Sequence, residues 1–503
     1  MNKSISLKNN VIANYIGQFY TMFIGIFMLP FYLKYLGAEA YGLVGFFTML
    51  MSWMVLLDMG LTTTLQREIA RLKDKVNGLL ELKTLAASIE VFFLIVGIVL
   101  VFTIFLGSNW IATNWLDVKE LSIDTVAICI KLMAFMIGFR WFVGLYSGAV
   151  MGFEDQVWLN KYKIIITSFK FIGSYLLIVY ITDNIIHFFV YQLIIGITEY
   201  SIIKIKLNNY FYKVENAKLS FSALKEVAPF ALGIAYTSGI WVFVMQLDKL
   251  MLSHYLSLKE YGYFSLVVVI SNAILQLFQP IGNAILPRMA SLLSNDKDSE
   301  MIALYHKSTQ LVAIIIFSTS GMVAFFSYDL IYSWSGSVEA AKWAAPILFW
   351  YALGNAAVAL LSFQYYMQYA HGNLKYHIRG NTVFGFFQIA LIVYAVHFYG
   401  AVGAGITWFG LQTFFLLFWP GYIHGKFAPG IHKDWIVKDI LPILLTSILY
   451  IGITKYFVHI NEMNRILLFI MLVSLGIIMF IVNTIGSNIG REYFLKIIKK
   501  VKI

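Results

Sequence analysis

Residues 35–42 read YLGAEAYG and residues 255–262 read YLSLKEYG. Tyr35, Leu36, Tyr41 and Gly42 recur as Tyr255, Leu256, Tyr261 and Gly262, at an offset of 220 residues. Ala70 recurs at the same offset as Ala290. Each motif copy closes one apolar run and opens the next. A repeat so placed predicts a chain built twice, from two halves of like topology.

The surrounding composition says what those halves are made of. Of 503 residues, 60% are hydrophobic and only 13% charged. A soluble domain is typically about half apolar and about a quarter charged. This chain is therefore expected to be a polytopic membrane protein, and its mean hydropathy of +0.76 agrees. A cytosolic enzyme, a nucleic-acid reader and a disordered chain are excluded. The net charge of +11 suggests nucleic acid at first sight, but basic surplus in a membrane protein collects in cytoplasmic loops. The single cysteine, Cys129, forbids an intramolecular disulfide and reads as a small buried hydrophobe. The polar N-terminal residues run straight into an apolar stretch without a cleavage site, so no cleaved signal peptide is expected.

A helix needs roughly 20 apolar residues to cross the bilayer core. Fourteen such runs are found: 11–33, 41–63, 84–106, 123–149, 162–181, 185–206, 227–250, 262–285, 305–329, 343–365, 378–398, 401–420, 439–457 and 465–484. The runs 378–398 and 401–420 turn at Tyr399 and Gly400. With both termini cytoplasmic, 27 of the 37 basic residues fall on the inner side and six on the outer. The remaining four, Lys131, Arg140, Lys170 and Lys249, lie inside spans. That bias obeys the positive-inside rule. The outer loops are too short to hold a domain.

Both motif copies lie on the outer turn between the first two spans of a six-span set. Six is even, so the sets are parallel repeats about an axis normal to the membrane, with a cargo path at their interface. The expected organisation is an N-terminal lobe (1–210), a C-terminal lobe (211–425), and two additional spans with a basic tail (426–503). The fold class is thus an all-α polytopic membrane protein of about 14 transmembrane helices.

The stretches FYLKYLGAEAYGLVGFFTML (31–50) and LLDMGLTTTLQREIA (56–70) resemble the N-terminus of Wzx-type flippases of the polysaccharide transporter family. DKLMLSHYLSLKEYGYFSLV (248–267) resembles the start of that family's second half, and residues 140–160, with Gly148, Gly152 and Phe153, fit it too. The superfamily includes multidrug, oligosaccharidyl-lipid and polysaccharide exporters. The resemblance implies two six-helix lobes around a central cavity. It implies movement of an undecaprenyl-pyrophosphate-linked oligosaccharide, such as an O-antigen repeat unit, across the bacterial cytoplasmic membrane to the outer leaflet. The implied partners are that lipid-linked oligosaccharide, membrane lipids, a coupling H+ or Na+, and a polysaccharide polymerase with its chain-length regulator. No nucleic acid is expected.

A charge at membrane depth costs about 2.5–3.5 kcal/mol on insertion scales and marks a functional candidate. Arg140 lies about 14 Å, and Lys170 about 12 Å, from the cytoplasmic ends of their spans. Glu90 and Glu199 are about 9–11 Å deep, and Asp58 is near the inner end of the second span. Two readings stay open. In one, Arg140 and Lys170 hold a pyrophosphate while Glu199, Glu90 or Asp58 takes the coupling ion. In the other, the glutamates neutralise the two cations as structural pairs. Lys131 and Arg140, nine residues apart, point to opposite faces of one helix. Lys131 is a further phosphate candidate, but an ion pair with Asp124, seven residues away, is expected for it. Asp248 and Lys249 read as an interfacial anchor or a lobe-interface contact.

The C-terminal lobe has almost no charge at depth, yet its spans carry glutamines. Gln246, Gln276, Gln364, Gln368, Gln388 and Tyr365 are candidate sugar contacts, since amides bond hydroxyls and rings cover apolar sugar faces. The alternative is that the amides join neighbouring helices. Pro30 and Pro280 read as bends, static or hinged. No metal motif, nucleophile–base set or glycine-rich nucleotide loop is present. The chain is expected to be neither an enzyme nor the carrier of a cofactor or metal. The alternatives to a flippase are a small-molecule or drug exporter of the same superfamily, or a membrane polysaccharide polymerase or ligase. The basic pair disfavours a cation exporter, and the short outer loops disfavour the enzyme.

Overall fold

The computed structural model describes residues 7–212, 214, 218–458 and 463–491. The basic residues Lys3, Lys213, Lys496, Lys499, Lys500 and Lys502 lie outside them. In chain order the helices are α1 (Leu7–Leu36), α2 (Ala38–Leu57), α3 (Leu61–Leu72), α4 (Gly78–Trp115), α5 (Ile123–Gly152), α6 (Gln156–Tyr180), α7 (Ile185–Tyr210), α8 (Phe221–Tyr255), α9 (Leu258–Leu293), α10 (Asp298–Phe325), α11 (Ser327–Ser335), α12 (Val338–Ala370), α13 (Lys375–Phe427), α14 (Ile431–Phe457) and α15 (Arg465–Gly486). No strand occurs among the described residues, only an isolated bridge between Asp117 and Ser257.

Thirteen of these helices are long and apolar enough to cross a membrane. The longest, α13, has 53 residues, about 80 Å at 1.5 Å per residue. A hydrocarbon core is about 30 Å thick, so one crossing cannot contain it. Gly400 breaks it, with φ 58° and ψ −145°, a conformation that a residue without Cβ adopts freely. The two halves are the separate spans expected on either side of Tyr399 and Gly400. The exposed side chains are largely apolar; Ile95, Val99, Phe102 and Leu106 on α4 are examples. Such a surface suits hydrocarbon as its solvent, with backbone groups satisfied inside helices.

The chain forms two compact units, Met1–Gly262 and Tyr263–Ile503. The core of the first gathers Leu65, Ile69, Leu82, Ile89, Phe93, Tyr146, Val150 and Ile203. Helix α3 is an element that span counting misses. Its Leu61, Leu65, Ile69 and Leu72 recur at helical spacing and are buried, while Arg67 and Arg71 are half exposed. Gly152 lets α5 approach the Gln66 carbonyl of α3. Helix α8, expected to open the second lobe, packs within the first unit. Its Phe243 meets Trp53 edge to face at 5.1 Å, and Arg67 lies 4.1 Å above Phe230.

The two motif copies meet inside this first unit. A Cβ at Gly42 would strike the Leu258 carbonyl, and one at Gly262 would strike the Ala38 carbonyl. Positions 38 and 258, like 42 and 262, differ by the repeat offset of 220. The contact is therefore reciprocal, as in a two-fold symmetric interface. Buried Glu39 fixes the same turn by accepting the N–H of Lys119 at 2.7 Å and that of Glu120.

In the second unit α10 and α12 are mostly buried. The last two spans are seated on α10 through Met322, Phe326, Ile451, Leu468, Leu472 and Met479. Buried Asn483 of α15 donates to Ser318 of α10 at 2.8 Å and accepts from Thr446 and Ser447 of α14 at 2.9 and 3.0 Å. An amide bonded on both its oxygen and its nitrogen is a strong specifier in an apolar setting.

Candidate functional site

Helix α7 presents three charged residues to four other segments. Glu199 accepts from Lys170 of α6. Lys204 reaches both carboxylate oxygens of Glu90 on α4, at 2.7 and 2.8 Å, and the Tyr146 hydroxyl of α5 at 2.9 Å. Lys206 meets Asp155, between α5 and α6, at 2.7 Å. The Tyr210 hydroxyl donates to the same oxygen at 2.8 Å. Burial opposes ionisation of Asp155, yet the hydrogen bonds from Lys206 and Tyr210 hold its pKa below the ordinary carboxylate value.

Lys170 is placed by a local irregularity. Residues Phe169–Gly173 form a π turn within α6, which inserts one residue and disturbs the regular backbone bonding. Three successive carbonyls of that turn accept side-chain donors. Phe169 accepts from Tyr191 at 2.9 Å, Lys170 from Gln192 at 3.0 Å, and Phe171 from Tyr32 at 2.8 Å. Gln192 is buried and also donates to Ser174 at 2.8 Å. Donors from α1 and α7 thus hold the turn that carries Lys170.

Arg140 differs from the paired span cations Lys170 and Lys249. Lys170 pairs with Glu199, and Lys249 with its neighbour Asp248 at 3.0 Å. Lys131 lies 5.6 Å from the Phe105 ring centroid, near no carboxylate among the described residues. Arg140 stacks over Phe47 at 5.1 Å, and its buried Nε has no hydrogen-bond partner among the described residues. Both Lys170 and Glu199 are within electrostatic reach of it. A guanidinium covered on one face, with a donor unspent, beside a lysine already bound to a carboxylate, offers bidentate bonds to an anion.

The glutamates therefore partner lysines, and Arg140 forms no ion pair among the described residues. The expected Asp124–Lys131 pair is absent among the described residues. Seven residues put the two on one face but about 10.5 Å apart along the axis, beyond the three- and four-residue neighbours that touch. Asp58 caps α3 locally, accepting the Thr62 N–H at 3.4 Å and its hydroxyl. Asp248 and Lys249 lie within α8, and Asp248 is buried. The glutamines divide. Gln364 and Gln368 bond each other at 2.6 Å, and Gln364 accepts from Trp419 at 3.2 Å. Gln388 faces Gln412 at 3.4 Å. All four are buried. Tyr365 lies over His377, ring centroids 4.7 Å apart. Gln246 and Gln276 are half-buried, with no side-chain hydrogen bond among the described residues.

Lys204 and Gln192 are site residues that the sequence reading omits. Lys204 is counted with the inner loop because it sits at a span end. The extra residue of the π turn leaves no mark in FKFIG.

A helical chain with this many spans and ionised groups held within them has the architecture of a membrane transporter. In fold it is similar to the lipid II flippase MurJ in an inward closed conformation, with TM-score 0.68 and 16% identity over 94% of this chain and 97% of that one. It is similar to an inward-facing multidrug resistance MATE family transporter of the MOP superfamily, with TM-score 0.64 and 12% identity over 82% and 96%. It is also similar to the MATE multidrug transporter DinF-BH, with TM-score 0.59 and 13% identity over 85% and 97%. Residues 7–293, more than half of the chain, match the family described as polysaccharide biosynthesis protein, and the chain belongs to that family. No curated sequence matches it.

Proposed function

We propose that this protein moves an undecaprenyl-pyrophosphate-linked oligosaccharide from the cytoplasmic to the outer leaflet of a bacterial cytoplasmic membrane, by alternating access coupled to an ion gradient. The observation that carries this reading is Arg140, a cation at membrane depth with a buried, unspent donor beside Lys170. In this reading Arg140 binds the pyrophosphate first. The phosphate then competes with Glu199 for the Lys170 ammonium. Family membership and the flippase-like fold support a lipid-linked cargo. Half-buried Gln246 and Gln276 supply amides for hydroxyls. The lobes 1–210 and 211–425 would rock about the cargo, with 426–503 as the added pair, both termini cytoplasmic, and a polymerase with its chain-length regulator receiving the product.

The test is reconstitution. Purified protein in vesicles should expose a pyrophosphate-linked oligosaccharide to a lectin on the opposite leaflet, and Arg140→Ala should stop it. Transport of organic cations with none of the lipid-linked sugar would overturn the reading in favour of a drug exporter.

A further inference from the structure

A second ionisable cluster lies in the Tyr263–Ile503 unit. Asp439 sits in the π turn Trp435–Ile440 of α14, its side chain 2% exposed. One carboxylate oxygen accepts from His306 Nδ1 of α10. The other accepts from Gln310 Nε2 at 2.7 Å, and Gln310 in turn accepts the Ile489 N–H at 3.0 Å. A carboxylate only accepts, so the His306 proton is on Nδ1 and Nε2 bears the lone pair. That Nε2 has no partner among the described residues, and the side chain is 23% exposed. The imidazole is thus bonded on its buried side and open on its exposed side.

We infer that His306 and Asp439 form a proton-binding site that supplies the ion coupling of the proposed transport. The inference rests on the transport reading and names where its coupling ion binds. H+ adds to His306 Nε2, the neutral imidazole becomes imidazolium, and its bond to Asp439 becomes an ion pair joining α10 to α14. Loss of the same proton restores the neutral contact. No other group changes charge. Histidine is the side chain whose unperturbed charge change falls between pH 5 and 8. Glu90 and Glu199 are already held by Lys204 and Lys170, and Asp58 is occupied by Thr62.

Other titratable groups surround the site. Asp434 and His432 of α14 and His424 of α13 lie around it, with Tyr305 and Lys307 on its own helix. Asp434 is bonded to Lys438 at 2.7 Å. His424 Nε2 meets the Tyr305 hydroxyl at 2.7 Å, and its Nδ1 meets His432 Nδ1 at 3.0 Å. Two facing Nδ1 atoms share one hydrogen, so charging both rings would oppose two donors. His424 is also an electrostatic neighbour of His306, so a charge on one disfavours a charge on the other.

The experiment uses the full chain in vesicles with an internal pH dye, plus melting curves from pH 5.5 to 8. Wild type should carry protons when lipid-linked oligosaccharide is added. Its melting temperature should depend on pH over that range. His306→Gln should lose the proton flux and flatten the melting profile while still moving cargo down its own gradient. Asp439→Asn, nearly the same shape, should do likewise and guards against misfolding of the first variant. Unchanged flux and melting profile in both variants would overturn the site and leave the transport reading intact. Wild type that moves no cargo overturns the transport reading, while the melting profiles still test proton binding.

Discussion

Lys170 donates to Glu199 across the spans α6 and α7, while Arg140, in electrostatic reach of both, forms no ion pair among the described residues. The pair is closed and its neighbour is open. That asymmetry separates a structural ion pair from a ligand-seeking cation.

Arg140→Ala should therefore cost little stability. It removes the contact with Phe47, worth about 1 kcal/mol, and strands no partner. Export should nonetheless fall to background. Thermal melting and surface-glycan labelling of the same strain check this. A large melting loss together with retained export would remove Arg140 from the mechanism.

Glu199→Gln should leave Lys170 available to phosphate beside Arg140. Binding of a short-chain lipid pyrophosphate should tighten, by roughly tenfold if about 1.4 kcal/mol is gained. Turnover should fall, because release is slower. Titration calorimetry and vesicle transport give the two numbers. Weaker binding in this variant would argue that Glu199 only holds the helices together.

Gln192→Leu tests the π turn. It leaves the Lys170 carbonyl without its donor, at a cost of about 1–3 kcal/mol for an unsatisfied buried group. Transport should fall even though the substituted residue is uncharged. Melting and cargo flux are the readouts.

Asp155 gives a pH dependence of known sign. Its carboxyl is held below the ordinary value, so its stabilising effect is present above about pH 4. The effect is lost as pH falls through the lowered folded value. Asp155→Asn should melt lower than wild type at about pH 5–8, and the gap should close towards about pH 3. A gap that persists at that acidity would contradict the assignment.

Much of this was legible in the sequence. The repeat at Tyr35 and Tyr255 marks two equivalent turns, though not their contact, and span counting points to the break at Gly400. Arg140, Lys170, Glu90 and Glu199 stood out as charges where apolar residues were due. Pairing of the glutamates with Arg140 and Lys170 stays one of two open readings there, and which cation each takes depends on rotation about helix axes. The π turn shifts that rotation after residue 169 without changing composition. Lys204 was missed because a lysine at a span end looks like a loop residue. Sequence reading also placed no weight on His306 and Asp439, which lie on helices separated by more than a hundred residues.

Gly42→Ala and Gly262→Ala should each destabilise the protein, by about 1–3 kcal/mol for an overpacked site. Each new methyl meets a backbone carbonyl, which has no rotamer to yield. Equal losses of folded protein on gel filtration are expected. Tolerance at one position and not the other would break the symmetry argument.

The break at Gly400 also settles a matter of parity. Were α13 one span, the candidate spans among the described residues would be odd in number. With the reversal the number is even. A single backbone angle at Gly400 thus turns back the direction of everything described after it, including the turn that holds Asp439.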